Sequence, residues 1–230
     1  MDVPALVPAD QIGAIATWIN ATFQSFDYKI LEFYHNLHEG AMGGFFDFFN
    51  KYFTRLGDGG IFVLAIGLIL LLFKRSRKIG MGMIGGVVIG ALFTNVAIKN
   101  VVARPRPYVT NETFQSWWLA VGHGLESEYS FPSGHTTSVA AAMWPVFLNC
   151  KKKVSWLVFL FVITIGATRN YIMVHFPSDI LGGIIVGSLA GILAYLIVKA
   201  LYDKVFIKGK LGNVIMTKDI RDLFKKKNAA

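Results

Sequence analysis

The chain has 230 residues, 54% of them hydrophobic and 16% charged, with a net charge of +9 and a mean hydropathy of +0.51. Long uncharged stretches argue against a soluble domain, because runs of roughly 18 or more apolar residues are typical of membrane-spanning helices. The single cysteine, Cys150, excludes an internal disulfide and argues against a thiolate metal site.

Residues 1–58 mix aromatic side chains with scattered charges, which predicts amphipathic helices. Apolar residues recur at helical spacing from Ile30 to Leu37. We expect short helices that lie at the membrane interface or pack on the bundle. An extra span over residues 12–26 is the alternative, although Asn20 and Gln24 interrupt it.

Residues 59–202 are predicted to form the membrane core. Its apolar segments, the third of which is the weakest, are residues 59–73, 79–98, 135–150, 154–168 and 180–198. The predicted fold is an all-α integral membrane helical bundle with five or six transmembrane helices, the sixth being the N-terminal alternative.

Basic residues concentrate in residues 74–78, in residues 151–153 and in the tail, residues 203–230. These regions follow the first, third and fifth apolar segments, so they fall on one side of the membrane. The positive-inside bias makes that side cytoplasmic. Basic loops that set topology and touch anionic lipid account for the charge better than nucleic-acid binding does. The sequence does not indicate an oligomeric state.

Two polar loops follow the second and fourth apolar segments and therefore emerge on the non-cytoplasmic face. The first cluster in them pairs Lys99 with Arg106, nearly two helical turns apart, with Arg104 as a competitor for the second position. Pro105 and Pro107 predict that the helix ends before Arg106. Snorkelling to lipid headgroups is the competing explanation for Lys99.

The second cluster is the segment FPSGH, in which Pro132 precedes Ser133, Gly134 and His135. Backbone N–H groups at a helix start, together with a hydroxyl, bind phosphate readily. The competing interpretation is an ordinary helix start with Ser133 as its cap.

The third cluster places Arg169 near a helix end, His175 six residues later and Asp179 at the start of the last helix. The aspartate can orient one imidazole nitrogen and leave the other free for nucleophilic attack or proton exchange.

Several converging cations favour an anion with many oxygens, which phosphate is. Two histidines allow the nucleophile and the general acid to be different groups. The shortage of carboxylates argues against a divalent cation at this site.

The order K-x6-RP, PSGH and R-x5-H-x3-D resembles the type 2 phosphatidic acid phosphatase (PAP2) superfamily of lipid phosphate phosphatases. The resemblance covers residues 99–179 and departs from the family only at Thr168, where a serine is usual. It implies a metal-independent and cofactor-free enzyme in a helical bundle, with its active site near the outer membrane surface.

The resemblance also implies a role for each residue. His175 would form a phosphohistidine, Asp179 would orient it, and His135 would protonate the leaving group and then activate water. The phosphate-binding groups would be Lys99, Arg106, Ser133, Gly134 and Arg169.

The compact chain resembles bacterial members, which implies the plasma membrane. The expected substrate is a lipid phosphate or diphosphate such as undecaprenyl diphosphate, phosphatidylglycerol phosphate or phosphatidic acid. A lipid phosphotransferase and a non-catalytic lipid-phosphate binder remain alternatives. Residues 108–129 are expected over or beside the site, with Trp117 and Trp118 as membrane-interface anchors.

Overall fold

The computed structural model describes residues 3–202 and 219–220, and within them every regular element is a helix. The α-helices in chain order are α1 (Ala14–Glu39), α2 (Gly43–Phe53), α3 (Ile61–Leu71), α4 (Arg77–Ala91), α5 (Lys99–Val102), α6 (Glu112–Val121), α7 (Gly134–Asn149), α8 (Lys152–Ser155), α9 (Val158–Tyr171) and α10 (Pro177–Leu201). The connections include 3-10 turns at Ala9–Gln11, Thr54–Gly60 and Pro107–Val109, and a π-helical segment at Leu92–Ile98.

Among the described residues, four helical stretches are long and apolar enough to cross a membrane: Gly43–Leu71, Arg77–Val109, Lys152–Tyr171 and Pro177–Leu201. They confirm the prediction of an integral membrane helical bundle. They do not confirm the predicted count of five or six transmembrane helices. The third predicted span forms α7, whose 16 residues extend only about 24 Å, less than the roughly 30 Å of a bilayer core.

Helix α7 occupies the centre of the bundle, with α3, α4, α9 and α10 packed around it. Small residues allow these close approaches. A Cβ on Gly187 of α10 would lie 2.4 Å from the Thr137 carbonyl oxygen, and one on Gly86 of α4 would lie 2.5 Å from that of Ala141. Because α7 is enclosed by protein, its residues are less apolar than those of a lipid-facing span.

The first stretch, Gly43–Leu71, is divided by a turn. Asp58 is extended (φ −59°, ψ 115°), and Gly59 and Gly60 both have positive φ, a conformation that suits glycine. Helix α3 therefore begins only at Ile61, and the chain presents Asp58 at the end of the bundle that holds the three sequence motifs.

The N-terminal region differs in detail from the sequence prediction. One continuous 26-residue helix, α1, packs against α2, α9 and α10, where short helices were expected. The prediction that Trp117 and Trp118 anchor the membrane interface was wrong. Trp118 is fully buried against Tyr108, and Trp117 stacks on His35 of α1, because α6 is covered by α1.

The basic loops lie at the end of the bundle opposite the three motifs. Lys78, Asn149 and Lys199 line one cavity, which places the start of α4 and the ends of α7 and α10 together. The motifs lie at the other ends of the same helices, about 37 Å away along the 25 residues of α10. The predicted basic tail lies outside the described residues, except for positions 219–220.

We predict that Gly187→Ala lowers the free energy of unfolding by about 1–3 kcal/mol, because the added methyl group collides with the backbone of α7. Gly85→Ala is the matched control. Its Cβ would meet only Ala194 at 3.5 Å, so it should leave stability unchanged or raise it by up to about 1 kcal/mol. Thermal unfolding in detergent measures both variants, and equal melting temperatures would contradict this packing.

Candidate active site

The first motif does not lie along one helix face. Helix α5 ends at Val102, and Ala103 reverses the chain in the left-handed conformation (φ 47°). Arg106 is extended (φ −76°, ψ 157°) and points toward the start of α10. Lys99 and Arg106 are therefore brought to one site by a chain reversal rather than by helical periodicity.

Arg104 belongs to a buried network and does not compete with Arg106. Its Nη1 donates to Asp179 Oδ1 (2.5 Å) and Ser178 Oγ (2.8 Å), and its Nη2 donates to Asp27 Oδ2 (2.9 Å). Its Nε donates to the side chain of Asn20 at 2.8 Å. With its donors used in this way, Arg104 holds the carboxylate of Asp179 and ties α1 to α10.

His175 and Asp179 form the predicted pair, with Nδ1 of the ring 3.4 Å from Oδ2 of the carboxylate. The same Oδ2 accepts hydrogen bonds from Ser130 Oγ (2.5 Å) and the Phe176 backbone N–H (2.8 Å). Nη1 of Arg106 lies 3.3 Å from His175 Nε2. A guanidinium only donates, so Nε2 is the acceptor and Nδ1 carries the proton that faces Asp179.

The protonation of His175 follows from its surroundings. The side chain lies between α9 and α10 and is only 1% exposed. Burial, followed by the nearby charge of Arg106, lowers the pKa of His175 below the ordinary imidazole value. The ring is therefore neutral at neutral pH, and Nε2 has the lone pair that a nucleophile needs.

The second motif lies at the start of α7. Ser133 is the N-cap of this helix, which agrees with the interpretation of the motif as an ordinary helix start. The hydroxyl of Ser133 accepts from the Thr136 backbone N–H at 3.5 Å. Accepting leaves the hydroxyl proton available for donation. Gly134 faces Lys99, whose Nζ would lie 3.8 Å from a Cβ placed on the glycine. The first and second motifs therefore meet at the start of α7.

Arg169, near the end of α9, reaches the same region. It donates to Thr54 Oγ1 at 3.1 Å and to the carboxylate of Glu126. Its buried Nε has no hydrogen-bond partner. A buried donor without a partner is unfavourable, which indicates a place for an acceptor. The hydroxyl of Thr168 donates to the Ile165 carbonyl of its own helix and does not enter the site.

Two glutamates of the loop between α6 and α7 pair with the cations of the motifs. Glu128 binds Lys99, while Glu126 binds Arg169 and lies 3.8 Å from Arg106. The His123 imidazole and the Arg169 charge hold the pKa of Glu126 below its usual range. Glu126 therefore stays ionised through the neutral pH range.

The loop also divides the space in front of the motifs. A cavity of about 780 Å³ on one side contains Lys99 and Arg106, and a cavity of about 660 Å³ on the other contains Asp58 and Arg169. Glu126 lines both cavities. The segment 108–129 thus lies beside the site as expected, and His175 is buried and lines neither of these two cavities.

Sequence reasoning missed several residues of the site. Asp27 and Asp58 come from the N-terminal region, where no motif marked them, and Ser130, Glu126 and Glu128 come from the loop. The turn sequence GDGG around Asp58 was the one available signal, because adjacent glycines often place a side chain by a positive-φ turn.

Fold and site together define an all-helical membrane protein with cationic and histidine–carboxylate groups at one end of its bundle. The sequence model of the PAP2 superfamily matches residues 79–203, which is more than half of the chain. The chain therefore belongs to the PAP2 superfamily, as its motifs predicted.

Individual relatives agree with this membership. The chain is 30% identical over 132 residues to an undecaprenyl-diphosphatase of Sulfolobus acidocaldarius, covering 57% of this chain but only 61% of that protein. It is 27% identical to the undecaprenyl-diphosphatase BcrC of Bacillus subtilis, covering 74% of this chain and 82% of the relative. The crystal structure of a transmembrane PAP2-type phosphatidylglycerolphosphate phosphatase from Bacillus subtilis shares the fold, with a TM-score of 0.58, 24% identity and coverage of 83% and 92%.

We predict that Arg104→Gln lowers the free energy of unfolding by about 3–5 kcal/mol, because it leaves Asp27 and Asp179 buried without their cation. The control is Arg75→Gln, which removes the same charge at an exposed site and should change stability by less than about 0.5 kcal/mol. Chemical or thermal unfolding in detergent compares the two, and equal stabilities would show that Arg104 is not a bridging cation.

Proposed function

We propose that this protein is a membrane phosphatase that hydrolyses a lipid phosphate or diphosphate through a phosphohistidine on His175. The observation that carries the proposal is the arrangement around His175, whose Nε2 faces Arg106 and whose Nδ1 faces Asp179. This arrangement prepares a neutral imidazole for attack and places a cation where a phosphoryl oxygen would be held. The PAP2 membership and the phosphatase names of the relatives support the same activity.

In the first step, Nε2 of His175 attacks phosphorus and forms an N–P bond. The bond from phosphorus to the leaving oxygen breaks, and protonated His135 gives its proton to that oxygen. Asp179 stabilises the positive charge that develops on the His175 ring, and Arg104 keeps that carboxylate in place. The leaving group is an alcohol for a monoester and a phosphate for a diphosphate.

In the second step, water attacks the phosphohistidine and gives its proton to His135. The N–P bond breaks, its electron pair returns to Nε2, and inorganic phosphate leaves. Lys99, Arg106 and Arg169, with Ser133 and the Gly134 amide, hold the phosphoryl oxygens in both transition states. In other enzymes, one preorganised donor of this kind contributes about 2.7–4 kcal/mol.

Substrate phosphate replaces the carboxylates of Glu126 and Glu128 on these cations. The proposal therefore includes a movement of the loop before His175 reacts, because His175 is buried and lines neither cavity beside Glu126. Phosphate offers more oxygens than a carboxylate, so it can also reach the unpartnered Nε of Arg169.

The proposed reaction needs no metal ion, since the cations that neutralise the phosphate are side chains of the chain itself. The position of the site supports a lipid substrate. It lies at one end of an apolar bundle, where a headgroup would be at the membrane surface and its tail in the bilayer. The basic loops at the opposite end favour a non-cytoplasmic site in a bacterial-type plasma membrane.

The first test is phosphate release in the presence of EDTA by detergent-purified protein from phosphatidic acid, phosphatidylglycerol phosphate and undecaprenyl diphosphate. His175→Ala should lose activity by about 10³-fold or more, because the nucleophile is gone. An acid-labile phosphoenzyme should form in the wild type and be absent in the variant. His123→Gln is the matched histidine control and should retain the phosphoenzyme.

The results separate the three kinds of protein. EDTA-sensitive release, or full activity in His175→Ala, would contradict the proposed mechanism. Phosphoenzyme that turns over only when an acceptor lipid is supplied would identify a phosphotransferase. Phosphate binding without any phosphoenzyme would identify a binding protein.

A second prediction concerns the loop carboxylates. The double variant Glu126→Gln/Glu128→Gln should bind inorganic phosphate more tightly by about tenfold, or about 1.4 kcal/mol, because the competing charges are gone. Product inhibition and phosphate-dependent thermal stabilisation both measure this change. Glu112→Gln, which neutralises an exposed acid of α6, is the control for net charge. Unchanged or weaker phosphate binding would show that the glutamates do not compete for the site.

A further inference from the structure

Within the described part of the chain, His135 of the second motif makes one side-chain hydrogen bond, and its partner is Asp58. Nε2 of His135 lies 2.7 Å from Asp58 Oδ1, the shortest histidine–carboxylate contact at the site. An ionised carboxylate only accepts, so Nε2 carries the proton of this bond. Nδ1 is then the nitrogen whose lone pair or proton is available for other chemistry.

The turn that carries Asp58 is fitted to the start of α7. A Cβ on Gly57 would lie 2.9 Å from Cδ2 of His135, and one on Gly60 would lie 3.1 Å from Cβ of Ser138. Gly59 and Gly60 adopt positive φ, so the chain can reverse between these two contacts. The turn therefore holds the carboxylate against one edge of the imidazole.

We propose that Asp58 is the positioning carboxylate of His135, and that the site therefore contains two histidine–aspartate pairs with different tasks. This inference rests on the proposed function. His175 with Asp179 supplies the nucleophile, while His135 with Asp58 supplies the general acid and then the general base. In both pairs the carboxylate accepts a hydrogen bond from one ring nitrogen and thereby directs the other nitrogen to the substrate.

The carboxylate of Asp58 stabilises the His135 ring in both of its proton transfers. While the ring is protonated, Asp58 stabilises the imidazolium that gives a proton from Nδ1 to the leaving oxygen. After that transfer the ring is neutral, its remaining proton stays on Nε2 beside Asp58, and Nδ1 accepts the proton of the attacking water. No further reactant is required, and Asp58 itself does not change its protonation.

Other charges also face His135. Burial lowers the pKa of His135 and the charge of Arg169 on α9 acts in the same direction, whereas Asp58 and, more weakly, Glu126 of the loop oppose this change. When substrate phosphate replaces Glu126, Asp58 is the protein carboxylate that remains beside the ring. Asp58 is half exposed, so it stays in contact with the cavity that also contains Arg169.

The experiment compares Asp58→Asn with wild type on two probes that differ in their leaving groups. Phosphatidic acid releases an alcohol that needs a proton, whereas p-nitrophenyl phosphate releases a phenolate that needs little assistance. We expect kcat/KM for phosphatidic acid to fall by about tenfold or more. The decrease for p-nitrophenyl phosphate should be much smaller, with the phosphoenzyme accumulating because water activation is slow.

Three further measurements make the result specific. Asp58→Glu should restore part of the activity, since it returns a carboxylate on a longer side chain. The first step needs protonated His135, so the alkaline limb of the kcat/KM profile should move to lower pH in Asp58→Asn, where the stabilising carboxylate is gone; Glu126→Gln is measured alongside because Glu126 also faces the ring. Glu112→Gln should behave as wild type on both probes.

Equal losses on both probes, with a lower melting temperature, would show that Asp58 only supports the fold and would overturn the inference. Wild-type kinetics in Asp58→Asn would also overturn the inference about Asp58. If His175→Ala were inactive in the same experiment, the proposed function would still stand. If wild type hydrolysed neither probe nor any lipid phosphate of the panel, the proposed function would fail and this inference with it.

Discussion

The site depends on one buried guanidinium. Arg104 bridges Asp27 and Asp179, and all three side chains are at most 4% exposed. Charges removed from water are tolerated only when partners replace their hydration. Arg104 is therefore a structural requirement of a carboxylate that must stay ionised beside His175. The network also explains why α1 belongs to the site, because Asp27 is its contribution and holds the start of α10 through Ser178.

A second constraint is the electrostatic repulsion between the cations that lie close together at one end of the apolar bundle. The three cations are buried, with at most 5% of each residue exposed: Lys99, Arg106 and Arg169. Their mutual repulsion must be compensated even when no substrate is bound. Glu126 and Glu128 provide that compensation in this conformation. If the site binds phosphate as proposed, the affinity is the difference between the free energies with which phosphate and the two glutamates bind the same cations. A loop that supplies the competing carboxylates would then stabilise the empty site and reduce the binding of weak anions.

The sequence predicted the part of this site that short-range spacing encodes. PSGH marked the start of α7, R-x5-H-x3-D placed His175 and Asp179 within one turn, and the charge pattern separated the basic end from the site. It could not distinguish Arg104 from Arg106, because the distinction depends on a reversal at Ala103 that no residue type requires. It could not locate Asp27 or Asp58, which reach the site from segments more than 70 residues away from their partners. The prediction for Trp117 and Trp118 was wrong for a related reason. Aromatic residues near a membrane boundary can either anchor the interface or pack under another helix, and the sequence does not show that α1 covers them.

The two histidines face opposite requirements, and their positions meet them differently. In the proposed mechanism His175 is neutral when substrate arrives, and the structure has it buried with the Arg106 guanidinium 3.3 Å from Nε2. In the same proposal His135 exchanges a proton in each half of the reaction, and it lies half-buried with the solvent-exposed carboxylate of Asp58 on one side. Burial favours the uncharged ring at both positions, but at His135 the hydrogen bond to the exposed carboxylate of Asp58 opposes that effect. A phosphoryl group between them would be attacked from the enclosed side and would lose its leaving group toward the open side. That direction would suit the proposed lipid substrate, because its released alcohol or phosphate would leave along the membrane surface while the phosphoryl group stayed on His175.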